Sequence, residues 1–283
     1  MRRTKDNLFT LVAAASAAGA AAILVALIAF VSFRGLGAIS FDFLSADSAE
    51  AGASGGIVYH IIGTLILIAS AAAIAVPVSA GTAIFSHSYA DAPRLRRSLD
   101  SLVHALNAVP SIVFGLFGLV VFVRLGGMNK SWLAGGIILA MMIVPTITVT
   151  FLERLRAIPS STIEAAAGLG LSRGEIVRTV LVPQSVSALV TGTLLGLARA
   201  AGETAPIMFT AVIFSGATIP RGIVDSPVLA LPYHIFVLAQ DTFAAGAEQR
   251  MWGAAVVLLL IVGTLSVISL PLRLRAHEEA RRD

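Results

Sequence analysis

The chain has 283 residues, of which 57% are hydrophobic and 13% charged; its mean hydropathy is +0.90 and its net charge +4. An ordinary soluble domain is about 45–50% apolar and about 25% charged, so disordered chains, disulfide scaffolds and most soluble enzymes are excluded. Cysteine is absent, which removes thiolate catalysis and Cys-ligated metal, and the small net charge gives no reason to expect nucleic acid as a partner.

A helix needs about 20 apolar residues to cross roughly 30 Å of hydrocarbon. Stretches of that order without Asp, Glu, Lys or Arg occur at residues 8–33, 57–85, 102–123, 133–152 and 251–272. A sixth stretch, 186–214, is apolar except for Arg199 and Glu203. The expectation is an all-α polytopic membrane protein with six transmembrane helices. Transmembrane barrel strands alternate apolar and polar over about ten residues, a pattern these runs lack. The first run holds 26 uncharged residues, longer than the 7–15 of a signal-peptide core, and is read as a retained anchor. Pro77, Pro110 and Pro145 fall one to a span; such prolines are common in membrane helices.

Lys and Arg orient the chain. With six spans both termini share one side, and that side carries 14 of the 20 basic residues, including Arg2, Arg94, Arg154, Arg173 and Arg273. Arg34, Arg124, Lys130, Arg221 and Arg250 lie on the other. The richer side is read as cytoplasmic, with both termini inside. Two outer segments are long: residues 34–56, with Asp42, Asp47 and Glu50, and residues 215–250, whose apolar stretch 228–239 suits a re-entrant or interfacial helix. Domain limits follow as 1–56 for the first helix and outer loop, 57–275 for a core with a cytoplasmic loop at 153–185, and 276–283 for a tail.

That loop contains two Ser-x-x-Glu spacings, Ser161 to Glu164 and Ser172 to Glu175. Each can form a capping box. Gly168 and Gly170 between them can end a helix. The loop is expected to be a short helix, a tight turn and a second helix broken near Pro183. Ile163, Ala165, Ala166, Leu169, Leu171 and Ile176 make it partly apolar, and exposed apolar surface indicates a partner. A DNA-binding helix-turn-helix would need a basic face that is missing.

In the fifth span Arg199 is fourteenth of 29 residues, with Glu203 four residues on. A charge at mid-membrane costs about 2.5–3.5 kcal/mol on insertion scales. A leucine would avoid that cost, so the charge is read as functional rather than as half of a self-neutralising pair. A guanidinium binds phosphate-like oxygens in a fork. A neighbouring carboxylate repels fully ionised anions but can accept a proton from hydrogen phosphate, which sulfate lacks. Gly192, Gly196 and Ala200 form a stripe of small residues that lets helices approach, and Pro206 can kink the helix beside Glu203. Asn107 and Pro110 could line a pathway, although a helix-to-helix hydrogen bond explains Asn107 more simply. His60, His87, His104, His234 and His277 share no metal-ligand spacing, and no catalytic cluster is evident.

Two motifs carry a resemblance. Glu164-Ala165-Ala166, Gly170, Val180, Val182 and Pro183 resemble the EAA loop of ABC-importer permeases, with Val where that family usually has Ile and Leu. Residues 198–211, from Ala-Arg-Ala-Ala-Gly-Glu-Thr-Ala-Pro onward, resemble the signature of the PstA family, permease subunits of ABC phosphate importers; the likeness spans roughly residues 57–275. The resemblance implies a MetI-like type I permease fold and a substrate pathway at Arg199, Glu203 and Thr204. It implies an ATPase contact at Glu164, Ala165, Ala166, Gly170 and Pro183. It also implies a heterodimer with a homologous permease (PstC), two copies of an ATPase (PstB), and a phosphate-binding protein (PstS). ATP and Mg would sit on the ATPase: the only lysines, Lys5 and Lys130, are not preceded by glycine, so the chain has no P-loop and is not itself expected to be an enzyme. A permease for molybdate or sulfate, and an ATP-independent anion transporter or channel, are the alternatives.

Overall fold

The structure, a computed structural model, describes residues 2–49, 54–216, 219–240 and 246–282. Glu50 and Asp283, and residues 217–218 and 241–245 of the second outer segment, lie outside the described residues.

In lipid the backbone must satisfy its own polar groups, which makes apolar runs helical. α1 is Arg2–Gly35. After a 3₁₀ turn, the short α2, Phe41–Ser45, starts where Ser40 accepts from the Phe43 N–H. Two two-residue antiparallel strands, β1 Ser48–Ala49 and β2 Ser54–Gly55, close this outer segment. α3 is Val58–Ile84, extended by a π turn to Tyr89. α4 is Pro93–Ala108 and α5 is Ser111–Gly118, which a π turn prolongs to Leu125. α6 is Trp132–Arg156 and α7 is Ser160–Gly168. α8, Arg173–Ile176, passes through a π turn into α9, Val182–Ala201. α10 is Ala205–Thr210, α11 is Leu231–Leu238, and α12 is Ala247–Arg282. Among the described residues five helices are long and apolar enough to cross a membrane, six if the bent pair α4–α5 counts as one span.

The third span differs from expectation. It is no single helix over 102–123: the axes of α4 and α5 meet at 95°. The residue before a proline is pushed out of the helical region, and Val109, before Pro110, adopts φ −69° and ψ 128°. Pro77 and Pro145, by contrast, stay inside continuous helices.

The core lies where α3, α6 and α9 meet, with Leu67, Ala71, Ile143, Ile147 and Ala200 buried there. Between membrane helices the hydrophobic effect contributes little and close packing decides. Gly192 lies against Ile147 and Thr150 of α6, Gly196 against Ile143 and Ile147, and Ala200 joins the same cluster.

The outer apolar stretch forms α11, eight residues long, buried through Leu231, Pro232, His234 and Leu238. It docks on α3. The Leu231 N–H donates to Thr64 Oγ1 at 2.9 Å, and Thr64 donates in turn to the His60 carbonyl. The histidines are less scattered than their spacing suggests: His60 and His234 are both buried, with ring centroids 4.0 Å apart. Among the described residues no three potential ligands gather around a metal position.

Members of the two basic sets occupy opposite ends of α3. At its start Arg250 donates to the Gly55 carbonyl and Arg34 pairs with Glu248. Beyond its end Arg173 pairs with Asp91 at 3.0 Å, and Arg156 with Asp100 at 2.8 Å.

A side chain at Gly63 would drive into the Leu229 carbonyl and Val228 of the returning segment, whereas Gly81 on the same helix faces open space. Gly63→Val should therefore cost about 1–3 kcal/mol by overpacking. It should visibly lower the thermal unfolding temperature in detergent, while Gly81→Ala leaves it unchanged.

Candidate functional site

The charged pair sits at a break between two helices. Pro206 has no N–H for the Gly202 carbonyl, and its ring would collide with that carbonyl in a continuous helix. The chain responds by ending α9 at Ala201, capping it with Gly202 at φ −95°, and restarting at Ala205. The fifth span is thus not a helix over 186–214. It runs from Arg173 to Ala201, and Arg199 lies in the last turn of α9 rather than at its middle. A cation is favoured there, where unpaired carbonyls leave a negative helix end. Glu203 and Thr204 occupy the non-helical step, and Thr204 stands at the N-cap position of α10 without a side-chain cap bond.

The guanidinium is held from two directions. Arg199 Nε lies 3.7 Å from Glu203 Oε1, an ion pair longer than a hydrogen bond. Arg199 Nη1 donates to Asn107 Oδ1 at 3.1 Å, from the last turn of α4. A guanidinium has five N–H groups; Nη2 meets no partner among the described residues. The Arg199 side chain is 40% exposed and that of Glu203 18%. The carboxylate is therefore tucked into the break while the cation faces the open side of the subunit. Asn107 was legible as a helix-to-helix bond, but its partner, 92 residues away, was not.

The two helix breaks are neighbours. A Cβ on Gly115 of α5 would come within 3.0 Å of the Ala205 carbonyl of α10, so α5 and α10 are packed as one piece. Lys130 Nζ donates to the Met208 and Val212 carbonyls at 2.9 and 3.0 Å, clamping the far end of α10. Partial burial there pulls the Lys130 pKa below the usual lysine value. The sequence placed this lysine on the outer side but gave no sign that it would clamp a helix.

At the other end of α6 and α9 the loop folds into a knob. Ser172 accepts from the Glu175 N–H, and the Glu175 carboxylate accepts from the Ser172 N–H at 2.8 Å, a complete capping box. The box expected at Ser161 and Glu164 does not form: Pro159 takes the N-cap position of α7, which leaves Ser161 and Glu164 inside the helix. Gly170 follows with φ +84°, a conformation that disfavours a side chain. Nor is the second helix broken at Pro183. A π turn over Val177–Leu181 leads into α9, and Pro183 falls in its first turn, where a missing N–H costs little.

The knob's apolar residues divide. Ala166 and Ile176 are buried with Phe151, Leu155 and Ile158, and Ile163 and Leu171 pack against them. The outward face keeps Glu164, Ala165 and Leu169, the last 83% exposed. The knob is thereby fixed to the ends of α3 and α6 and leads without a break into α9.

The family profile described as "Binding-protein-dependent transport system inner membrane component" matches residues 79–273. The chain belongs to this family. The "Phosphate transport system permease protein PstA" of Mycobacterium leprae is 30% identical over 280 residues, covering 97% of this chain and 90% of that protein. The "Probable ABC transporter permease protein YqgI" of Bacillus subtilis is 32% identical over 191 residues, 68% of this chain and 64% of its own length, just under two thirds of that relative. A chain of the MetNI methionine ABC transporter, in an inward-facing conformation, superposes with a TM-score of 0.57 at 16% identity, covering 76% of this chain and 95% of that one. At that identity it establishes the fold, which is the expected MetI-like permease architecture.

As a binding-protein-dependent permease the chain is a multi-pass membrane component of a larger transport assembly. The match begins within α3 and takes in the knob, the α9–α10 break and most of α12; α1 lies outside it. The knob yields a paired test. Ser172→Ala removes a cap worth about 1 kcal/mol and should lower the detergent unfolding temperature, whereas Ser161→Ala, at a position that caps nothing, should not.

Proposed function

We propose that the chain is the membrane-spanning permease subunit of an ATP-driven inorganic phosphate importer. The observation that carries this reading is the Arg199 guanidinium. It stands at a helix break, is paired on one edge with Glu203, and turns its remaining N–H groups toward a face that the rest of the subunit leaves open. Broken helices with ionisable groups at their ends are how membrane transporters build polar sites in an apolar slab. The relatives that carry the name phosphate transport system permease support phosphate as the oxyanion.

The chemistry follows from the pair. An arriving hydrogen phosphate offers two oxygens to the Arg199 guanidinium and its remaining proton to the Glu203 carboxylate. Sulfate offers the same oxygens but no proton, and meets an uncompensated carboxylate. Thr204 supplies a hydroxyl beside them. No bond is made or broken in the substrate. Gly192, Gly196 and Ala200 keep α9 against α6, so the break moves with the helix.

ATP and Mg belong to a separate ATPase of the PstB type, two copies to an assembly, which docks on Glu164, Ala165 and the neighbouring Ala166–Gly170 turn of the knob. Rigid coupling through the π turn and Pro183 carries closure of the ATPases into α9. The open face of α5, with Ile112, Val113, Leu116 and Phe117 exposed, suits a homologous permease of the PstC type that completes the pathway. A PstS-type binding protein delivers phosphate from outside. Both termini then lie in the cytoplasm of a bacterium and the spans in its inner membrane, bathed in lipid.

The test uses the assembled transporter. Arg199→Leu should abolish labelled-phosphate uptake while leaving assembly intact. Glu203→Gln should retain uptake but let sulfate compete, at least tenfold better than in the unmodified protein. Uptake that survives Arg199→Leu, or that molybdate or sulfate already competes away in the unmodified transporter, would sink the reading. Separately, Glu164→Arg should release the ATPase during detergent co-purification.

A further inference from the structure

The partners of Arg199 are unequal in a way that bears on how substrate enters. Glu203 approaches Nε, the side edge of the guanidinium, at 3.7 Å. Asn107 accepts from Nη1, on the end edge, at 3.1 Å. The end edge, Nη1 with Nη2, is one of the forks that match two oxygens of an oxyanion. The carboxylate thus leaves that fork free, and a neutral carboxamide oxygen is bonded to one of its two nitrogens. Asn107 also comes from a different piece of the protein. It lies in the last turn of α4, two residues before the Val109–Pro110 corner, whereas Glu203 follows α9 directly. Both Asn107 and Arg199 are exposed on the open side.

We infer that Asn107 is a positioning residue for Arg199: a neutral, displaceable acceptor that holds the guanidinium fork in place and yields it to the incoming oxyanion. This rests on the reading of Arg199 as the substrate cation. Neutrality is the essential property. A hydrogen bond to an uncharged amide lacks the charge–charge attraction that a carboxylate would add, so an oxyanion can replace it. A second carboxylate at this position would bind the guanidinium more tightly and cancel the field that attracts the anion. The role also explains why the tether comes from α4: any movement at the α4–α5 corner alters how firmly Arg199 is held, without disturbing its pairing to Glu203.

The prediction is an order of activities that a merely structural hydrogen bond would reverse. In the complete transporter reconstituted in vesicles, Asn107→Ala should lower the maximal rate of phosphate uptake about two- to fivefold. Asn107→Asp, which keeps the shape and the acceptor, should lower it about tenfold or more. The KM for external phosphate, set by the delivering protein, should stay constant in both. If Asn107 served only to join two helices, the Asp variant would be the better of the two; equal losses or that reverse order overturn the inference. The double variant Asn107→Asp with Glu203→Gln returns a single carboxylate to the site and should regain at least threefold in rate over Asn107→Asp alone. Failure to regain also overturns the inference, whether the cause is misfolding or a fixed need for the amide. The reading of Arg199 fails separately, when Arg199→Leu still transports.

Discussion

A guanidinium in an apolar slab is the constraint around which this subunit is arranged. Arg199 cannot be left unpaired there, because an isolated charge in lipid is expensive. Nor is it fully neutralised by its neighbours. The structure meets both conditions with geometry. Glu203 is near enough to offset the charge but too far, at 3.7 Å, for a tight bond. Asn107 adds a hydrogen bond without adding charge. That arrangement needs the backbone to leave the helix between Ala201 and Ala205, because a continuous helix would put Pro206 against the Gly202 carbonyl.

From that break the mechanics of the rest can be traced. α9 below it is stiff and tightly apposed to α6 through Gly192 and Gly196. α10 above it is bound to α5 and clamped by Lys130. The knob is built into the lower ends of α3 and α6 by a buried apolar cluster, and its second helix is continuous with α9 through a π turn. The knob's second helix and the turn that carries Arg199 thus belong to one continuous helical run. The outer segment is secured independently, by the Thr64 bridge between α3 and α11 and by the close contact of the His60 and His234 rings. These contacts are separate from those at the break.

The prolines show why local sequence has limits. Pro77, Pro110 and Pro145 look alike, one in each of three apolar runs. Two remain inside continuous helices and one ends a helix at a 95° corner. What differs is the surroundings. α3 and α6 pack along each other, and Ser79 donates across to the Val144 carbonyl beside Pro145. α4 is a strongly one-sided amphipathic helix with only Val103 buried, so nothing holds it in line with α5. The two Ser-x-x-Glu spacings divide in the same manner. Ser172 caps a helix and Ser161 does not, because Pro159 two residues earlier had already started α7.

Membrane residence, the approximate spans, the segregation of basic residues and the charged pair were all determined by the amino-acid order, because hydrocarbon thickness and the cost of a bare charge act on short stretches of chain. The Ser172 cap and the Gly170 turn were equally local. Only the tertiary structure decided that Arg199 ends a helix, that Asn107 holds it, and that His60 meets His234. The knob's apolar residues likewise divided between an inner cluster and an outer face only on folding. Each of these depends on contacts between residues far apart in sequence, and a side chain's periodicity does not say which distant group it will meet.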